Sequence, residues 1–230
     1  DANGIRYIGG DFTSFNAWQT GKGAWVDPAT GEVDPTFGAV SASGEGGVQA
    51  SAPDGNGGVY IAGGISAVGS TGRNNVALVL ADGTVDPTFV PPSINNEVWA
   101  IAVDANAVYI GGKFTTVNGV ARNNVAALDR TTGALLDWNP NANVWVMTLH
   151  VDGPTVYLGG RFSTVGGLAR PYAAAVRTDA RTGGGGGTCL DTYDTADCLT
   201  AFTAPITGGY GVFEFAQDGT DLYVGGEITA

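Results

Sequence analysis

Short apolar runs alternate with breaks rich in glycine, asparagine and aspartate along the whole chain. Residues 98–138 show the pattern most clearly. Val98-Trp99-Ala100-Ile101-Ala102-Val103 reads as a strand, a, and Asp104-Ala105-Asn106 turns the chain. Ala107-Val108-Tyr109-Ile110 reads as strand b and leaves through Gly111-Gly112 into Lys113-Phe114. A polar loop runs to Arg122-Asn123-Asn124, and Val125-Ala126-Ala127-Leu128 reads as strand c. Thr131-Thr132-Gly133 turns again, and Ala134–Trp138 reads as strand d. β-Branched and aromatic runs bounded by Gly, Asn and Asp are the signature of strands joined by tight turns. No window keeps the 3.6-residue period of an amphipathic helix, so the class predicted is all-β.

The unit recurs. An apolar run ending in paired glycines appears at Tyr7, Tyr60, Tyr109, Tyr157 and Tyr223, with spacings of 53, 49, 48 and 66 residues. Four antiparallel strands in about 50 residues make one blade of a β-propeller, so a propeller, or an arc of one, is predicted. The blade units fall at about 1–42, 43–93, 94–141 and 142–205, with a partial unit at 206–230, in one continuous region. The paired glycines read as crowded packing positions. A phosphate-cradling loop would need a following helix, and none follows. Both termini cut a repeat, so a longer protein of about six to eight blades is expected.

Several motifs in fixed order carry a family resemblance. They are Tyr109-Ile110-Gly111-Gly112-Lys113-Phe114, Val117-Asn118-Gly119, Arg122-Asn123-Asn124-Val125-Ala126-Ala127-Leu128-Asp129, Thr132-Gly133 and Trp138. Gly72-Arg73-Asn74-Asn75-Val76-Ala77, Val85-Asp86-Pro87-Thr88-Phe89 and Val33-Asp34-Pro35-Thr36-Phe37 repeat parts of them. The chain resembles the delta-sixty repeat family of bacterial β-propellers over nearly its whole length. Kelch repeats are similar in the apolar run and paired glycines, but their later Tyr and Trp spacing is not evident. The resemblance implies a secreted or surface-attached bacterial propeller and does not imply a catalytic site. The fourth unit departs from the pattern, with Arg170-Pro171-Tyr172 in place of Arg-Asn-Asn and an insertion over about 181–199.

The net charge of −12, from 10 Lys and Arg against 22 Asp and Glu, argues against a nucleic-acid backbone as partner. No apolar run approaches the ~20 residues of a membrane-spanning helix. Apolar residues at 43 % and charged residues at 14 % argue for folded rather than disordered sequence.

Candidate chemistry is sparse. Cys189 and Cys198 lack the spacing of a redox or zinc pair. A local disulfide, which suits an oxidising compartment, is the favoured reading, and two free thiols the other. Between them Asp191, Asp194 and Asp197 are a weak calcium candidate, against a solvated acidic loop, and no other cofactor is suggested. Lys22, Arg73, Arg122 and Arg170 recur before strand c. They read as structural, as inter-blade hydrogen bonds or salt bridges, rather than as a cationic ring. Phe37, Phe89, Trp138 and Phe202, and also Trp99, Trp145 and Tyr210, read as packing between blades because their register repeats. Trp18, outside that register, is the weak candidate for stacking on a sugar. His150 reads as a strand-end histidine, with no second histidine and no marked nucleophile to form a catalytic set.

The reading is a non-enzymatic extracellular or cell-surface module that recognises proteins or surface components, or assembles with itself through open strand edges. A carbohydrate-binding propeller is the alternative. Part of a secreted hydrolase or lyase, with its site elsewhere in a longer chain, is the second.

Overall fold

The computed structural model describes residues 6–9, 23–26, 30, 32, 42–43, 47–178, 200, 202, 206 and 208–229. Every regular element among them is a strand. In the first unit β1 (Arg6–Gly9) pairs with β2 (Gly23–Val26). The second holds β3 (Ala42–Ser43), β4 (Gly47–Pro53), β5 (Val59–Gly64), β6 (Ala67–Val68), β7 (Thr71–Gly72) and β8 (Val76–Val79). The third holds β9 (Val98–Val103), β10 (Ala107–Gly112), β11 (Thr116–Val117), β12 (Val120–Ala121) and β13 (Val125–Asp129). The fourth holds β14 (Val146–Asp152), β15 (Thr155–Gly160), β16 (Thr164–Val165), β17 (Leu168–Ala169) and β18 (Ala173–Arg177). The fifth holds β19 (Gly208–Asp218) and β20 (Asp221–Thr229).

Strands a, b and c form the antiparallel sheets β4-β5-β8, β9-β10-β13 and β14-β15-β18. Strand d differs from expectation. It is reduced to the single bridges Val79–Val85 and Leu128–Leu135, with a few flanking backbone bonds such as Asp86 N to Leu78 O and Leu136 N to Ala127 O. Proline explains part of this, because Pro87 has no N–H to extend a ladder. The polar loop between b and c also differs. It folds into the small hairpins β6-β7, β11-β12 and β16-β17. Asn118 and Gly119 turn β11 into β12 with φ of 52° and 74°, as a two-residue primed turn requires. Each hairpin also pairs with the residue that opens its unit, through β3-β6, Ile94–Val117 and Ala142–Val165.

The sheets pack face to face in chain order, β4 on β9, β9 on β14 and β14 on β19. Alternation along b divides its side chains between two interfaces. Tyr109 and Ala107 of β10 face the fourth unit, among Val146, Val156 and Phe162. Val108 and Ile110 face the second, among Tyr60, Leu78 and Phe89. All six residues of β10 are therefore buried, and the strand reads as an unbroken apolar run. Tyr109 meets Trp138 edge to face at 5.0 Å, and Tyr60 meets Phe89 in the same way at 5.1 Å. Trp138 Nε1 crosses to Arg177 O of the fourth unit at 2.9 Å. Phe89 and Trp138 are thus the inter-unit packing residues expected.

The paired glycines have two separate jobs. Strand a of the second to fifth units carries a bulge, leaving Gln49, Trp99, Met147 or Phe213 as the extra residue, and in the fifth a second irregularity also leaves Tyr210 unpaired in the register. The bulge drives a backbone carbonyl onto b. A Cβ at Gly112 would lie 2.2 Å from Glu97 O, and one at Gly160 would lie 2.1 Å from Trp145 O. The preceding glycine instead admits the next sheet, since a Cβ at Gly111 would lie 2.7 Å from Val146 Cγ1. In the second unit the register places Ala62 at that first position and Gly63 at the bulge, so only the bulge position strictly requires glycine.

Gly112→Ala is expected to cost about 3 kcal/mol, as rigid overpacking does, while Gly72→Ala, which meets open space, stays within about 0.5 kcal/mol. Urea unfolding compares them, and equal stabilities would contradict the bulge account.

Candidate functional site

The Arg-Asn-Asn motif is a fastener. Backbone bonds repeat through the units. Gly63, Gly112 and Gly160 N–H groups donate to the carbonyls of Asn75, Asn124 and Tyr172, each at 3.0 Å. Asn75 and Asn124 hold φ of 62° and 63°, a left-handed conformation that asparagine tolerates. This aims their amides at the next unit, Asn75 Nδ2 to Ile94 O (3.1 Å) and Asn96 O (2.9 Å), and Asn124 Nδ2 to Ala142 O (2.8 Å). Asn74 Oδ1 accepts from Ile94 N at 2.6 Å. The fourth unit keeps the backbone without the amide, for Tyr172 adopts φ of 67° and its ring packs by Ile206 and Val212.

The hydrogen bonds seen for Arg73, Arg122 and Arg170 run within their own units, where bonds between blades were expected. Arg73 donates to Gly72 O and Asp86 O, both at 2.9 Å. Arg122, only 6 % exposed, donates to Ala121 O (2.9 Å) and Leu136 O (3.1 Å). Arg170 donates to Ala169 O. In the second and third units this pins the irregular strand d to the loop before c. Arg130 is an inter-unit tie that the sequence reading passed over. Its guanidinium donates to Asp104 O at 2.9 Å and also to Asp54 O, while Tyr60 Oη donates to Arg130 O at 2.8 Å. Burial pushes the Tyr60 phenol up, so it stays a donor. These groups line an open cleft of about 720 Å³ between the second and third units, with Asn56, Asp82, Asp86 and Thr131 on its walls. Asp82 and Asp86 each turn one carboxylate oxygen back onto a nearby threonine.

Lys22, Trp18, Cys189, Asp191, Asp194, Asp197 and Cys198 lie outside the described residues, as does Phe37. Among the described residues no three metal-ligating side chains gather. No helix is long and apolar enough to cross a membrane. His150 Nε2 lies 2.6 Å from Gln217 Oε1 of the fifth unit, another tie between units.

The residues that leave the packing rule lie where strand a begins and strand b ends. Trp99, Trp145 and Tyr210 were expected between blades. Instead Trp99 is half-buried, Trp145 is 38 % exposed and Tyr210 is 62 % exposed. They form a surface row across three units with the cations that follow the bulge glycines. Lys113 Nζ lies over Trp99 at 5.4 Å. Trp99 meets Trp145 edge to face at 5.4 Å. The Arg161 guanidinium lies over Trp145 at 5.7 Å and over Tyr210 at 5.8 Å. Glu97 anchors one end, accepting from Trp99 Nε1 at 2.9 Å and pairing with Lys113 at 3.3 Å. The Trp99 indole, with help from Lys113, holds the Glu97 carboxyl below its ordinary value against the opposing effect of burial. A signal was present in the sequence, because the position after the bulge glycine differs in each unit, as Gly64, Lys113, Arg161 and Glu227.

No protein-family model matches the chain, and no curated protein matches it either.

Asn124→Ala is expected to cost about 2–4 kcal/mol, from a buried carbonyl left without its amide and an alanine held at positive φ. Asn124→Gly costs roughly 1 kcal/mol less, since glycine accepts that φ freely. Chemical denaturation orders the two; the reverse order would remove the positive-φ cost, and an Asn124→Gly as stable as the parent would remove the amide bond from the account. For Glu97, the depressed folded-state value means that its contribution to stability is present above the unfolded value and lost as pH falls through the folded one. Tryptophan fluorescence should therefore titrate below pH 4.5, and Lys113→Met should move the midpoint upward. A midpoint unmoved by that substitution would remove the Lys113 pair from the account.

Proposed function

We propose that the chain is an arc of a β-propeller of the delta-sixty kind, and a non-enzymatic extracellular or cell-surface module of a bacterium that recognises proteins. The antiparallel sheets, stacked in chain order with strand a of each on strand a of the next, support the propeller reading. The single observation that carries the functional reading is the row of Trp99, Trp145, Arg161 and Tyr210 on the surface. Tryptophan, tyrosine and arginine dominate the binding energy of protein interfaces. The second and third units turn Tyr60, Phe89, Tyr109 and Trp138 inward, so the row departs from their packing rule, although Phe213 and Tyr223 of the fifth unit are exposed too.

Carbohydrate binding is the second reading. It is favoured by the open ring of Tyr210, the kind of face on which sugars stack. One comparison separates the two. The immobilised protein is presented to a glycan array and to a fractionated cell-surface protein extract. The protein-recognition reading predicts saturable capture of one protein fraction, falling about tenfold or more in Trp145→Ala at unchanged melting temperature. Binding to a defined glycan that is lost in Trp18→Ala or Tyr210→Ala, with no protein captured, would establish the lectin reading instead.

A further inference from the structure

The aromatic row carries one formal charge that no described residue matches. Glu97 is taken up by Lys113 and by the Trp99 indole. Arg161 is exposed, and no carboxylate among the described residues lies within ion-pair distance of it. This occurs in a chain of net charge −12, where carboxylates outnumber cations about two to one. Trp145 and Tyr210 flank the guanidinium, its Cζ lying 5.7 and 5.8 Å from their ring centroids. Contact with aromatic rings uses no N–H donor of the group, so its hydrogen-bonding capacity is kept. Those donors form a fork that matches a carboxylate with two parallel hydrogen bonds. The fifth unit's backbone approaches closely here, since a Cβ at Gly211 would lie 2.7 Å from Gly160 O and 3.2 Å from Arg161 Cγ.

We infer that the row between Trp145 and Tyr210 is a docking site for a carboxylate-bearing segment of a protein partner, with Arg161 as its anchor. The inference rests on the protein-recognition reading above and adds the chemistry of the partner. The carboxylate takes the open edge of Arg161, and apolar or aromatic neighbours in the segment cover Tyr210 and the exposed part of Trp145. A cationic partner fits poorly, because it would meet Arg161 and Lys113 while Glu97 is already paired. A neutral apolar segment would bury Arg161 without a counter-charge, which is costly.

The test uses the whole chain, with indole and tyrosine NMR signals as readout. The probes are an alternating Glu-Tyr octapeptide, an alternating Lys-Tyr octapeptide and an oligogalacturonate of similar charge. The expected result is saturable shifts at Trp145 and Tyr210 with the Glu-Tyr peptide alone. Binding should weaken as salt rises and fall about tenfold in Arg161→Gln at an unchanged melting temperature. Arg161→Lys should recover only part of it, because an ammonium lacks the fork. Equal shifts from the Lys-Tyr peptide, or binding indifferent to Arg161→Gln, would overturn the carboxylate anchor while leaving the face as a protein-binding surface. Shifts from oligogalacturonate with both peptides silent would overturn the protein class in favour of an acidic polysaccharide. Silence from all three probes would overturn the inference, whereas the protein-recognition reading stands or falls on the capture experiment.

Discussion

Each central sheet is apolar on both faces, and that constraint shapes everything else. A three-stranded sheet with β10 at its middle has no face to give to water. Its Val108 and Ile110 need the second unit, and its Tyr109 and Ala107 need the fourth. A fold of this kind gains stability chiefly between neighbours, as stacked repeats do. Burial supplies the drive without direction, and polar groups set the alignment. The Asn75 and Asn124 amides fix where the next unit begins, and Arg130 and Trp138 fix the opposite end of the same interfaces.

Close packing also explains where function has room. In the interior, registers repeat because every position has a neighbour on both sides. At the start of strand a, the bulge turns one extra residue per unit out of that scheme, and the next residue of b is free to vary. Trp99 is such a bulge residue, and Lys113 and Arg161 follow the bulge glycines. Trp99, Lys113 and Arg161 are therefore placed by the same irregularity that makes the glycine obligatory, and Trp145 and Tyr210 lie just before it. The constraint at Gly112 and Gly160 and the freedom at Lys113 and Arg161 are one feature seen from two sides.

Strands a, b and c were legible in the sequence because a strand buried on both faces must be an apolar run, and the turns between them require Gly, Asn or Asp. Strand d was not, because Pro87 and the turn of Trp138 into the interface interrupt pairing in ways that an apolar count misses. The b–c hairpins were hidden by their two-residue arms, though Asn118-Gly119 marks one turn. The arginines were read as structural, and recurrence alone could not distinguish a bond within a unit from one between units. Trp145 and Tyr210 were misplaced for a related reason. The aromatics near strand a were taken to share one register, yet Trp99 is the bulge residue, Trp145 aligns with Glu97 before the bulge, and Tyr210 sits at an irregularity of its own.

The central claim is that the described units stand or fall together through their shared faces. Native-state hydrogen exchange tests it most directly, read at the Gly63, Gly112 and Gly160 amides, which donate to equivalent carbonyls in three successive units. The account predicts that all three exchange through one common opening, with a single free energy and a single denaturant dependence. Three separate free energies, each insensitive to a core substitution in the neighbouring unit, would show that the sheets are independently stable and would contradict it.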